Sequence, residues 1–190
     1  MSPGLHEAET LVSMAIEAMA GDSASLSAAL DELSAPIYVT DPQGVITYFN
    51  RACIDVAGRT PVAHQDKWCV TWKLHTLEGD PLPHDRCPMA VAIRSGCLVR
   101  GEEAIAERPD GTRIRFIPYP TPVFVGDGEM MGAVNLLLDV TGLRQAEALR
   151  QQAARCRRLA DSIGDSDTAA TLRGMAAQYE EEAAQFGRTH

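Results

Sequence analysis

The chain has no block of basic residues longer than two, and its 26 acidic side chains outnumber 17 basic ones, giving a formal charge of −9. That shortage excludes the basic stripe with which proteins grip nucleic acid or an anionic membrane. No apolar run nears the ~20 residues of a spanning helix. The opening MSPGLHEAET lacks the basic and apolar regions of an export signal, so the expected location is cytoplasmic, with no membrane and no nucleic acid as partner. There is no C-x-x-C pair. The cysteines, Cys53, Cys69, Cys87, Cys97 and Cys156, are odd in number and irregularly spaced, which reads as free thiols and not as a disulfide framework. A single H-x-x-C, at His84 and Cys87, is too little for a zinc site. Walker A, G-x-S-x-G, H-E-x-x-H and glycine-rich dinucleotide patterns are all missing. No spacing assembles a nucleophile with a base, so the expectation is a protein that is not an enzyme.

What is present is ordinary for a globular protein, 45% hydrophobic and 23% charged. A length of 190 residues suits one medium domain with helical additions. The organising stretch is 35–58, APIYVTDPQGVITYFNRACIDVAG. Two runs of β-formers, 37–40 and 45–49, flank Asp41-Pro42-Gln43-Gly44, where proline presets φ and glycine permits a positive one. Asn50 is placed to cap a helix starting at Arg51, and Gly58 to end it.

Before this stretch, Leu11, Met14, Ala15, Ala18 and Met19 form an apolar helical stripe, which either packs on the chain's own sheet or meets a second subunit. Residues 59–85 read as loop, broken by Pro61, Gly79, Pro81 and Pro83. A helix then starts with Asp85 as its expected cap and Pro88 in its first turn, and stops at Gly96. Three strands follow, 98–107, 112–125 and 131–140, the second made irregular by Pro118, Pro120 and Pro122. In the tail, Ala146, Leu149, Ala153, Cys156, Ala160 and Ile163 step by three and four, and Leu172, Met175, Tyr179, Ala183 and Phe186 form a second stripe. The break at 164–167 makes these two helices an expected antiparallel hairpin. With no histidine inside it, this hairpin does not match a histidine-kinase dimerisation hairpin.

Strand, D-x-x-G turn, strand, Asn and short helix, with Val39-Thr40-Asp41, Gly44, Ile46 and Asn50-Arg51-Ala52, closely resemble the opening of the PAS domain family. Asp139-Val140-Thr141 resembles its closing D-[IV]-T, which leads into a signalling helix. The resemblance covers about residues 30–142. It implies an α+β PAS fold with a five-stranded antiparallel sheet and helices on one face. To this the sequence adds N-terminal helices and a C-terminal helical hairpin, divided as 1–33, 34–142 and 143–190.

It also implies a ligand cavity walled by the sheet and residues 68–93. Candidate ligand-facing groups are Trp68, Cys69, Trp72, His75, Cys87, Val91 and Phe116. Haem would take His75 first and His84 second as axial group, and Cys87-Pro88 is a dipeptide of haem-regulatory motifs. Covalent flavin is not expected, because the Asn-Cys-Arg-Phe-Leu run of the flavin-bonding relatives has no counterpart. Non-covalent flavin would rest on Trp68, Trp72, Phe116 and Tyr119. The plain reading of each residue is core packing. Asp139 and Thr141 are the expected signal relay. The function implied is a cytosolic sensory or signalling module without its own catalytic output, acting by ligand-, redox- or partner-dependent protein interaction. The alternatives are a constitutive dimerisation scaffold without ligand and a haem-binding sensor. The expected partners are a second copy, through the terminal helices, and a separate output protein.

Overall fold

A computed structural model describes residues 30–186 apart from residue 32; the N-terminal stripe at 11–19 lies outside them. Two compact units divide between Asp139 and Val140.

The first unit is built on an antiparallel sheet. Strands β1 (Ile37–Thr40) and β2 (Ile46–Phe49) lead to helix α1 (Arg51–Ala57). After β3 (Lys73–His75) and helix α2 (Pro88–Ser95) come β4 (Ala104–Glu107), β5 (Arg113–Phe124) and β6 (Met130–Asp139). The strand order is β2-β1-β6-β5-β4-β3. Five of these are the expected strands, and β3 is a sixth, inside the stretch read as loop. Its Lys-Leu-His has little β propensity of its own, and pairing of Leu74 with Ala106 on β4 makes it a strand.

The turn at Asp41 forms as its residues dictate. The Asp41 carboxylate accepts from the backbone N–H of Gln43 and Val45 at 2.9 and 2.8 Å, and Gly44 sits at φ +77°. Asn50 caps α1 through Cys53 N–H, and Gly58 and Gly96 end α1 and α2. Arg108 reaches back from the β4–β5 turn to the Asp55 and Val56 carbonyls at the end of α1. Asp85 does not cap α2: it lies in a 3-10 turn (His84–Arg86), and the cap position is Cys87, followed by Pro88. Proline here removes an N–H that the first turn leaves unused, so no side-chain cap is needed.

β5 is continuous despite its prolines. β4 pairs with it only over Arg113–Phe116. Beyond that point one side of β5 needs no N–H, and prolines two residues apart all fall on one side. Both edges of the sheet are partly covered. Ile46 N–H donates to Asp66 and His64 N–H to Ile46 at the start of β2, while Leu82 N–H donates to Leu74 along β3, which shortens the open ladder at each edge.

Alternation divides the core. One face carries Tyr38, Ala104, Ala106, Ile114, Phe116 and Leu137, packed with Cys53, Val70, Met89 and Ile93. The other carries Ile37, Val39, Tyr119, Val134 and Leu136, with Leu30 and Leu33 packed on them. The sheet is therefore buried on both faces, not only on the face of α1 and α2.

The second unit is α3 (Thr141–Ser162) and α4 (Ser166–Phe186). Asp165 caps α4 through Thr168 N–H at 2.9 Å. Ion pairs Arg157–Glu180 and Arg173–Asp161 make the helices antiparallel. Ala146, Ala153 and Ala160 on α3, and Ala169, Ala176 and Ala183 on α4, are all buried. Alanine at seven-residue spacing on both helices lets the two backbones approach closely. Ala153 and Cys156 pack against Ala176 and Tyr179, so this part of the apolar stripe of α3 meets α4 of the same chain; Ile163 stays 37% exposed. Among the described residues, no helix is long and apolar enough to cross a membrane.

Candidate functional site

The chemistry that the fold gathers lies under the loop carrying Trp68. Trp68 has φ +69°, a conformation that costs an L-residue of order 1 kcal/mol. It is held there by its N–H donating to Gly44 at 2.7 Å and by its ring lying against Gly44, where any Cβ would overlap the indole. The Arg94 guanidinium stands 5.9 Å over the same ring.

This backbone conformation aims the Trp68 carbonyl inward. Tyr38 donates its hydroxyl to that carbonyl at 2.9 Å and accepts from the Asn135 amide at 2.9 Å. Asn135 Oδ1 in turn accepts from Tyr119 N–H at 3.0 Å. Cys87 Sγ lies 3.9 Å from the Trp68 carbonyl, and the Thr71 hydroxyl donates to Cys69 Sγ at 3.2 Å. Burial holds the Tyr38 hydroxyl well above its ordinary range, reinforced by the neighbouring Cys69 and Cys87 thiols. Burial also pushes the Cys87 thiol up to about 12, with Cys69 adding to it. Cys69 is raised by burial against the opposing bonds from Thr71, and Cys53 by burial as well. These sulfurs are therefore neutral thiols, not nucleophiles.

Of the residues singled out in the sequence, Trp68, Cys69, Cys87 and Phe116 come together in or against one core cluster. Trp72 and Val91 do not: they are 44% and 41% exposed, and Trp72 stacks under Lys73 Nζ at 4.2 Å. Helix periodicity sends Met89, Ala90 and Ile93 inward and leaves Val91 outside. Tyr119 packs on the opposite face of the sheet from Phe116.

His75 is on the edge strand and is buried there. Its Nε2 is 3.1 Å from the Glu107 carboxylate and its Nδ1 is 3.3 Å from the Gly79 carbonyl. His84 is partly buried, its pKa lowered by burial and by the nearby Arg59, with Asp66 and Asp85 opposing. Asp139 faces Phe116 at the end of β6, and Thr141 opens α3.

Tyr38, Asn135 and Glu107 were not singled out as site residues. Asn135 had a legible signal, a lone amide inside the apolar run GAVNLLL. Glu107 gathers Lys73, His75 and Arg113.

A haem or flavin does not fit the interior as built. Tyr38, Met89, Phe116 and Leu137 fill the space between the sheet and the helices, each no more than 2% exposed. His75 Nδ1 is engaged by the Gly79 carbonyl, while its buried Nε2 lies 3.1 Å from the Glu107 carboxylate without a hydrogen bond to it. Among the described residues, no three His, Cys, Asp or Glu side chains converge on a metal position. An open cleft of about 610 Å³ lies elsewhere, between residues 76–82, the first turns of α2 and residues 99–103.

The family model for the PAS fold matches residues 30–145. That span is more than half of the chain, and the chain belongs to the PAS-fold family. No curated protein matches it. Among solved structures it is similar to an RNA-binding Light-Oxygen-Voltage receptor, at 22% identity and TM-score 0.46, over 84% of this chain and 36% of that one. It thus spans about a third of that receptor's length. It is also similar to the PAS domain of the fruit-fly ELK potassium channel, at 14% identity and TM-score 0.49, over 64% of this chain and 98% of that one. The Rhodobacter sphaeroides LOV protein is similar at 11% identity and TM-score 0.47, over 93% and 99% of the two chains.

Proposed function

We propose that this chain is a sensory and signalling module that works through protein contacts and has no catalytic step of its own. The observation that carries this reading is the closed interior of a PAS fold, in which Tyr38, Met89, Phe116 and Leu137 stand where a chromophore would need room. A filled interior favours a signal arriving through a partner over one arriving through a bound cofactor. It also supports the second reading, a constitutive scaffold.

In the signalling reading, Asp139 and Thr141 form the relay, because they flank Val140, the single residue between the last strand and α3. The hairpin keeps Leu143, Leu159, Ile163 and Met175 exposed. These apolar side chains support a homodimer through the helical extension, with an output protein as a further partner.

Two measurements test the proposal. The purified protein is expected to show no absorption band beyond its aromatic residues and to release no small molecule on denaturation. A visible band or a released cofactor would sink the reading. Asp139→Ala is expected to raise hydrogen exchange in α3 while leaving β5 and β6 unchanged. Exchange in α3 indifferent to this change leaves the scaffold as the better account.

A further inference from the structure

The interior is closed, but the cleft of about 610 Å³ beside α2 is not. Its size falls within the ~300–1,000 Å³ of small-molecule sites. Leu77, Leu82, Val91 and Val99 line it. Leu77 and Val91 remain 44% and 41% exposed. Large aliphatic side chains left in water on a concave surface are a signature of binding, where the same exposure scattered over a convex surface would mean little.

The charges around this apolar lining are of both signs. Arg86 lines it on the side of α2, Glu102 lines it from the loop before β4, and Glu78 adds a second carboxylate from the turn after β3, where Thr76 bonds it. The Arg86 and Glu102 side chains make no hydrogen bond or ion pair among the described residues, whereas the neighbouring Glu103 is held by Arg115. A guanidinium presents paired donors that match a carboxylate, and a free carboxylate matches an ammonium. A ligand complementary to all three features is apolar in its body and carries one charge of each sign.

We propose that this cleft binds a small apolar zwitterion, of which a hydrophobic α-amino acid is the simplest. Its carboxylate would lie on Arg86, its ammonium on Glu102, and its side chain over Leu77, Val91 and Val99. The site is separate from the filled interior, and it stands whether or not the chain signals through α3.

The test uses the full chain with L-leucine, N-acetyl-leucine and leucinamide, followed by amide chemical shifts and calorimetry. Leucine is expected to shift residues around 77, 91 and 99 saturably. Blocking either charge of the ligand, or Arg86→Ala, is expected to weaken binding about tenfold or more, the scale of a lost charge-assisted contact. Val91→Glu is expected to abolish it. Both substitutions are at exposed positions, and an unchanged circular dichroism spectrum checks that the fold persists. Absence of any saturable shift with leucine at about 10 mM overturns the proposal. So does binding of either blocked analogue as tightly as leucine, or shifts confined to the interior.

Discussion

Asn50 offers a sharp test of how this fold is held together, because it does more than cap a helix. It is completely buried. Its Oδ1 accepts from Cys53 N–H at 3.3 Å, the cap bond, and also from Ile37 N–H at 3.1 Å. Its Nδ2 faces three carbonyls, Leu30, Leu33 and Ala35, at 3.1, 3.2 and 2.8 Å. One amide therefore ties the segment before β1 to the start of β1 and to α1. Loss of a cap alone costs ~1 kcal/mol. A buried Ile37 N–H without its acceptor adds ~1–3 kcal/mol, since water cannot replace the lost partner. Asn50→Ala is therefore expected to cost ~3 kcal/mol.

The discriminating change is Asn50→Asp. Aspartate caps helices as well as asparagine, so a role confined to capping predicts almost no loss. In this site the new carboxylate oxygen would face three carbonyl oxygens where a donor stood. The expected loss at pH 7 is ~3 kcal/mol or more. Repulsion by these oxygens raises the folded-state pKa of the introduced carboxyl, so the folded state binds the extra proton more tightly. The deficit relative to wild type is then full above that raised pKa and shrinks as pH falls toward the unfolded value of ~3.9. Urea unfolding followed by circular dichroism, with an unchanged m-value, measures this. Asn50→Asp within about 0.5 kcal/mol of wild type at pH 7 would refute the argument, because substitutions away from special contacts fall in that range.

Gly44→Ala is expected to destabilise by ~2 kcal/mol or more, because it combines a positive φ with overlap on the Trp68 ring; a melting temperature unchanged by the substitution would contradict the packing. His84 is lowered from 6.5 first by burial and then by Arg59. The unfolded chain therefore binds more protons at this site, and stability should fall as pH drops below 6.5. His84→Gln should flatten that slope, and urea midpoints at several pH values for both proteins decide it. Among the five cysteines only Cys97 is exposed. Under native conditions iodoacetamide should label it alone, with the others reacting only on unfolding; rapid labelling of Cys69 or Cys87, seen by peptide mass spectrometry, would mean that the interior opens readily.

The sequence by itself determined the parts whose causes are local. The β1–β2 turn follows from Asp41 and Gly44, and the span of α1 from Asn50 and Gly58. The end of α2 follows from Gly96, and the break between α3 and α4 from residues 164–167. In each case the deciding forces act within a few residues, through a capping side chain or a permitted φ. With the D-x-x-G turn and the Asp139-Val140-Thr141 ending in order, these were enough to place the chain in its family.

The tertiary structure decided what depends on partners far away in the chain. β3 exists because β4 lies beside it, and His75 lies near Glu107 because those two strands pair in that register. Trp72 and Val91 looked like cavity residues by type, yet the path of the backbone turned them to the surface. Asn50 read as a cap, and only folding brought the carbonyls of the preceding segment to its amide. The Tyr38–Asn135 bond joins residues 97 apart. No turn or periodic signal encodes such a contact, because burial makes both groups need a partner and the sheet register determines which one each finds.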